Sequence, residues 1–234
     1  MERTHTHLHK WFYAMFLFAM SRHGVAAKEL QRQLGGSYKT AWRMAHKIRA
    51  YLAELEPGKD GFAGSLSLTG EIEIDETYVG GKRRGPRGRG AFGKTIVFGM
   101  LERGGAVRTR IVPNVRRHTL EPIITDNVRQ GSKVYTDELG SYDRLGQVGY
   151  VHETVEHGRW EFARGDTHVN SLEGFWARLK LSIRGTHVWV SGKHLRAYAH
   201  EFAWRYNHRH CPEQMFEELV RKVQHTRLAP VSIP

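Results

Sequence analysis

Cysteine is nearly absent: Cys211 is the single one in 234 residues. No disulfide framework and no cysteine-held zinc site can form within the chain, and a reducing compartment is expected. Acidic residues are also few, with 24 Asp and Glu against 36 Lys and Arg and a formal net charge of +12. That imbalance favours a polyanionic partner, with nucleic acid first and an acidic membrane surface second. Long apolar runs are missing as well. The longest, WFYAMFLFAM at residues 11–20, is shorter than the ~20 residues a bilayer needs. It also lacks the A-x-A-like exit of a signal peptide. We expect it to be a buried helix in a cytoplasmic protein. No internal repeat, Gly-rich nucleotide loop or Ser-His-Asp arrangement is recognisable, so NTP hydrolysis is not suggested.

What is present divides in two. Hydrophobic residues make up 40% of the chain, enough for a real core. Residues 10–55 read as all-helical: WFYAMFLFAM, then VAAKELQRQLGG ending at Gly35-Gly36, then SYKTAWRMAHKIRAYLAEL with Ser37 as N-cap. A short helix, a Gly turn and a basic helix make a helix-turn-helix pattern; a plain helical hairpin is the alternative. In the first case Ser37, Tyr38, Lys39, Thr40 and Arg43 would contact bases or phosphates, with Lys47 further along and Ala41, Trp42 and Ile48 in the core. EPGKDGFAGSLSLTG at 56–70 is the best boundary. The expected division is a helical region at 1–56, a linker at 57–69, a second domain at 70–212 and a tail at 213–234.

Beyond the boundary the period changes from helical to alternating. EIEIDETYVGG, KTIVFGMLERGG and AVRTRIVPNV read as three strands, the last two a hairpin at Gly104-Gly105. LEPIITDNVRQG reads as a helix closed by Gly131, and SKVYTDELGSY as a strand ending at Asp137. HETVEH is a possible further strand, and HLRAYAHEFAWRYNHR a last amphipathic helix. This is an α/β chain with a mixed sheet and helices on its faces. Between the first two strands lies GKRRGPRGRG, with five basic residues and no carboxylate. Lys82, Arg83, Arg84, Arg87 and Arg89 there are expected to meet phosphates.

Asp75 and Asp137 each end a hydrophobic strand, in EIEID and KVYTD. If the strands are neighbours, the carboxylates lie close, and they repel unless one is protonated or a cation sits between them. A hard ion such as Mg²⁺ suits the pair. Glu71, Glu73 and Glu76 are expected mostly as surface charges, Glu76 with a supporting role. In HVNSLEGFWARLKLSIRG a helix would put Asn170, Glu173, Ala177 and Lys180 on one stripe. Leu172, Phe175, Trp176, Leu179 and Ile183 form the other, and Gly185 is a plausible stop. A third carboxylate, Glu173, would complete a two-metal site for phosphodiester displacement. After this helix GTHVWVSGKHLR carries His187, Trp189, His194 and Arg196, a DNA-contacting segment or, for Trp189 and Val190, core.

Thirty-five residues separate Asp137 from Glu173, and six separate Glu173 from Lys180. This resembles the D-D-35-E signature, with its trailing Lys or Arg, of DDE transposases and retroviral integrases. IDETYVGGK, VYTDELGSY and HVNSLEGFWARLKLSIRGTHVWVSGKHLRAY, recurring in order, resemble the catalytic segments of a bacterial insertion-sequence transposase family. In that family an Asn or Glu is the third catalytic residue and a Lys follows. The resemblance spans roughly residues 10–212. It implies an RNase H-like mixed sheet flanked by helices, preceded by a small all-α helix-turn-helix domain. It further implies Mg²⁺, with Mn²⁺ as substitute, and cleavage at element ends followed by strand transfer into target DNA. Double-stranded DNA would be the partner, bound by a homodimer or larger assembly in the nucleoid.

Carried over, Asp75 and Asp137 would be metal ligands, with Glu173 or Asn170 the third member. Lys180 would sit beside the DNA backbone, with Arg184 further along the same segment. Two alternatives use the same residues: a non-catalytic DNA-binding copy and an RNase H-like nuclease. Members of the resembled family commonly carry a cysteine zinc ribbon ahead of the helices. Cys211 alone cannot build one, so a truncated copy, an alternative start or a ribbon-less branch is expected.

Overall fold

The computed structural model describes residues 4–55, 67–80, 93–155 and 169–225. The basic segment holding Lys82, Arg83, Arg84, Arg87 and Arg89 lies outside the described residues, as does most of the expected linker.

Three helices open the chain: α1 (Leu8–Met20), α2 (Ala27–Leu34) and α3 (Tyr38–Leu55). Gly35 and Gly36 take φ of +69° and +84°, a region that favours glycine, and so turn the chain out of α2. Ser37 then caps α3, its Oγ accepting the Thr40 N–H at 3.1 Å. Ala41, Met44, Ala45, Ile48 and Leu52 bury one face of α3. Trp42, expected in that core, sits only half-buried at its rim, one residue round the helix from the stripe, with its ring 3.8 Å from that of His46. Helix α1 also departs from expectation. Trp11, Ala14, Met15 and Phe18 are buried, whereas Phe12, Tyr13, Phe16 and Met20 are 43–47% exposed. A helix packed on one side has only one stripe to cover.

This core is closed from the far end of the chain. Trp204, Met215 and Leu219 join the side chains of α1 and α3. Met215 and Leu219 belong to a helix, α7 (Met215–His225), within the stretch read from sequence as a tail.

The sheet has strands β1 (Glu71–Val79), β2 (Thr95–Glu102), β3 (Val107–Val112), β4 (Lys133–Asp137) and β5 (Val151–Val155). Their order is β3-β2-β1-β4-β5. The first three form an antiparallel meander, and β4 and β5 run parallel to β1. Helix α4 (Arg117–Asn127) covers one face through Leu120, Ile123 and Ile124 over Ile72, Ile74, Phe98 and Met100. Helices α5 (Asn170–Ser182) and α6 (Gly192–Asn207) cover the other, packing on Val79, Val97, Leu101 and Val107. This is the RNase H-like arrangement, a mixed sheet between helical layers with a helical region in front. α4 lies a few residues earlier than its sequence pattern suggests. Asn114 Oδ1 accepts the Arg116 N–H and the Thr119 hydroxyl, starting the helix early. Val128 leaves it to bridge Leu68.

Candidate functional site

Alternation along a strand decides which carboxylates meet. On β1, Ile72 and Ile74 join the core under α4. Glu73 and Asp75 therefore face α5. The parallel register pairs Glu73 with Tyr135, so two residues further Asp75 lies abreast of Asp137 at the end of β4. The strands are neighbours, as the proximity argument requires. Burial, then the charge of Glu76, and then that of Asp137 push the Asp75 carboxyl up from 3.8 to about 7. Asp137 Oδ1 accepts the Leu139 N–H at 3.1 Å, which turns the chain away from the strand end.

Helix α5 lies over this pair. Its apolar stripe of Leu172, Phe175, Trp176, Leu179 and Ile183 is buried, while Asn170, Glu173 and Ala177 are exposed and Lys180 is half-buried. Trp176 does more than anchor the helix: its Nε1–H donates to Asp75 Oδ2 at 3.0 Å. The ring fits because Asp75 is paired across the sheet with Gly99. A Cβ at Gly99 would meet Trp176 at 2.5 and 2.7 Å, closer than any real contact.

Glu73 and Glu76 are not surface charges, being 0% and 8% exposed. Val169 gives the start of α5 no side-chain cap. Glu73 supplies one from the strand below, accepting the Leu172 N–H at 2.9 Å and Arg103 Nε–H at 3.0 Å. Glu76 points to the opposite face and accepts the Tyr142 hydroxyl at 2.9 Å. Only a fold that brings α5 and Tyr142 onto β1 makes these burials tolerable, which strand alternation cannot reveal.

Burial holds the Lys180 ammonium below its usual range against the pull of Asp75, and Lys94 and Arg184 push the same way as burial. Lys94, at the foot of β2, escaped the sequence reading; its only signal is its place just before a strand that pairs with β1. Among the described residues no group of three His, Cys, Asp or Glu side chains is close enough to share a metal ion. Asp75 and Asp137 thus come together, with Lys180 beside them, while Glu173 stands outside that group on the exposed stripe. Asn170 is exposed in the first turn of α5. Ser37, Tyr38, Lys39, Thr40, Arg43 and Arg184 are exposed, and Lys47 is half-buried.

The donor set fits a hard divalent cation. Burial first, and then repulsion from the neighbouring carboxylates of Glu76 and Asp137, raises Asp75, and a cation beside the pair would relieve the repulsion. Anionic oxygens are the ligands such an ion takes, often no more than two from protein.

Residues 67–207 match the family described as the ISXO2-like transposase domain. A protein of the transposable element ISH50 of Halobacterium salinarum is 30% identical over 221 residues, covering 87% of this chain and 71% of that protein. A transposase-like protein of Haemophilus influenzae is 33% identical over 109 residues, 47% of this chain and 87% of that protein. Among solved structures, the catalytic core domain of BIV integrase is 12% identical with a TM-score of 0.40, covering 68% of this chain and 99% of that one. The pre-cleavage Mos1 transpososome is 12% identical with a TM-score of 0.33, covering 92% and 78%.

Proposed function

The chain belongs to the ISXO2-like transposase family, and from that premise we propose that it cuts DNA at the ends of a mobile element and joins the freed ends to target DNA. The observation that carries this reading is the Asp75–Asp137 pair beside Lys180, where β4 ends against the middle of β1.

Asp75 and Asp137 would hold Mg²⁺, or Mn²⁺ in its place. Such an ion, when bound, supplies Lewis acidity toward the phosphodiester. The rest falls to the chain's own groups. Trp176 orients the Asp75 carboxylate through its indole N–H. Lys180 holds a phosphate oxygen as a point charge. Glu173 would have to be drawn in from the exposed stripe to serve as the third member, with Asn170, one turn before it, as the neutral alternative.

In the first reaction the oxygen of water bonds to phosphorus as the bond to the element's 3′ oxygen breaks, and that oxygen takes a proton. In the second the freed 3′ hydroxyl oxygen bonds to a target phosphorus while the target's own 3′ oxygen leaves. No covalent protein–DNA bond forms, so no Ser or Tyr nucleophile is required. Helices α2 and α3 would act as a helix-turn-helix, with Ser37, Tyr38, Lys39, Thr40 and Arg43 at the major groove and Lys47 and Arg184 at phosphates. Lys82, Arg83, Arg84, Arg87 and Arg89 would add phosphate contacts. Two element ends call for a homodimer or larger assembly. Among the described residues no helix is long and apolar enough to cross a membrane, and we place the protein in the cytoplasm with the nucleoid.

The test incubates the chain with DNA flanking its own gene in Mg²⁺, Mn²⁺ or EDTA, beside Asp137→Asn. Discrete metal-dependent nicks and joined products, both lost in the variant, are expected. Cut products that never join would make the protein a nuclease. Binding without cleavage would make it a DNA-binding copy.

A further inference from the structure

Helix α5 does not stop at Gly185. It passes through a π-helical turn, Ile183–His187, and ends on Val188 at φ +65°. For a β-branched residue that is a strained conformation, of the kind that persists where surrounding structure enforces it. Its effect is to present two apolar side chains to solvent. Val188 is 79% and Trp189 65% exposed, the highest values among the large hydrophobics of the described residues. Neither joins a core cluster, so packing does not account for the geometry.

Trp189 lines a cavity of about 370 Å³ between the N-terminal helices and the sheet domain. Tyr38, Trp42, His46, His194 and Tyr198 supply much of the rest of the wall. Among the described residues no carboxylate lines it, and Lys28 does. Burial, with Arg49 next in order, brings His46 down to about 3 and His187, also in the wall, to about 4, so both are uncharged at neutral pH. The wall therefore offers flat aromatic faces and polar ring edges, together with the Lys28 ammonium. That chemistry suits a nucleobase attached to phosphate. The cavity is too small for a duplex.

Its position agrees. Tyr38 begins α3, the helix placed at DNA above, and Trp189 lies nine residues beyond Lys180, just past the end of the helix that continues α5. DNA spanning α3 and the Asp75–Asp137 pair would pass the mouth.

We propose that this cavity takes one unpaired nucleotide of the bound DNA, with its base stacked on Trp189. The inference rests on the transposase reading for the presence of DNA but not on cleavage. The test therefore uses the full chain in EDTA. Two duplexes are compared, one carrying a single unpaired 2-aminopurine nucleotide and one fully paired. Wild type is expected to bind the first about tenfold more tightly, as one added stack implies, with quenched 2-aminopurine fluorescence. Trp189→Ala should lose both the preference and the quenching; Trp189→Phe should keep most of each. Trp189 is exposed, so neither variant removes a core contact. Equal affinity for the two duplexes in wild type, or an undiminished preference in Trp189→Ala, would overturn the inference and leave the transposase reading standing. Binding to neither duplex would overturn both.

Discussion

At the scale of single residues, the informative feature is a carboxyl held away from its ordinary behaviour. Asp75 ionises near 7 rather than 3.8. The unfolded chain releases this proton first, so stability falls as pH rises from about 3.8 to about 7, and the penalty is complete above that. Asp75→Asn removes the ionisation. In EDTA at pH 8 it should be more stable than wild type, on the order of 4 kcal/mol, with the gap shrinking toward pH 4. Urea melts across that range would check it; a gap that ignores pH would acquit the charge. Divalent metal should reverse the order, since it stabilises only the chain that binds it. Glu73 teaches a different lesson. Its charge is buried without being catalytic, because it caps α5 and pairs with Arg103.

At the scale of the element, α5 is positioned by two devices that are not in its own sequence. One is the Glu73 cap; the other is Gly99, whose missing side chain lets Trp176 reach Asp75. Gly99→Ala should therefore displace the indole, free Asp75 to rotate and lower cleavage by roughly tenfold or more, given how steeply such chemistry depends on placement. The fold should survive with a loss of about 1–3 kcal/mol, the usual range for an overpacked core. Cleavage assays beside thermal melts would separate the two effects. Full activity in a stable variant would show that the Trp176 contact positions nothing. The periodicity of α5 was legible because its buried and exposed stripes obey a 3.6-residue repeat. Its continuation past Gly185 was not, because glycine stops a helix only where the next residues have somewhere else to go.

At the scale of the whole molecule, the N-terminal helices and the sheet domain are tied by a buried charge network. Glu201 of α6 accepts Arg49 Nε–H at 2.6 Å and Arg205 Nη2–H at 2.5 Å. Arg49 also donates to the Val25 carbonyl, and Arg205 to that of Phe18. Burial opposes ionisation of Glu201, but the two guanidiniums outweigh it and hold the carboxyl below its usual range. Glu201→Ala would strand two buried cations. It should cost about 3–5 kcal/mol and loosen α3 from α6. Thermal melts and hydrogen exchange in α3 would detect this; a loss under about 1 kcal/mol would mean that water replaces the carboxylate. Such a network links residues 152 positions apart, which no local pattern encodes.

The alternation of EIEID and KVYTD, the period of HVNSLEGFWARLK, the Gly-Gly-Ser turn before α3 and the excess of basic residues each express a local rule. Strand, helix, cap and net charge follow from neighbours within a few residues. From those alone came the sheet, the helix stripe and the pairing of Asp75 with Asp137 as candidates. Tertiary structure decided the remainder: that β1 and β4 lie side by side, that Glu73 and Glu76 are buried, that Trp176 and Lys94 join the site, and that Trp204, Met215 and Leu219 close the first core. Those outcomes depend on which distant surfaces meet, because a buried charge is tolerable only where the fold supplies its partner.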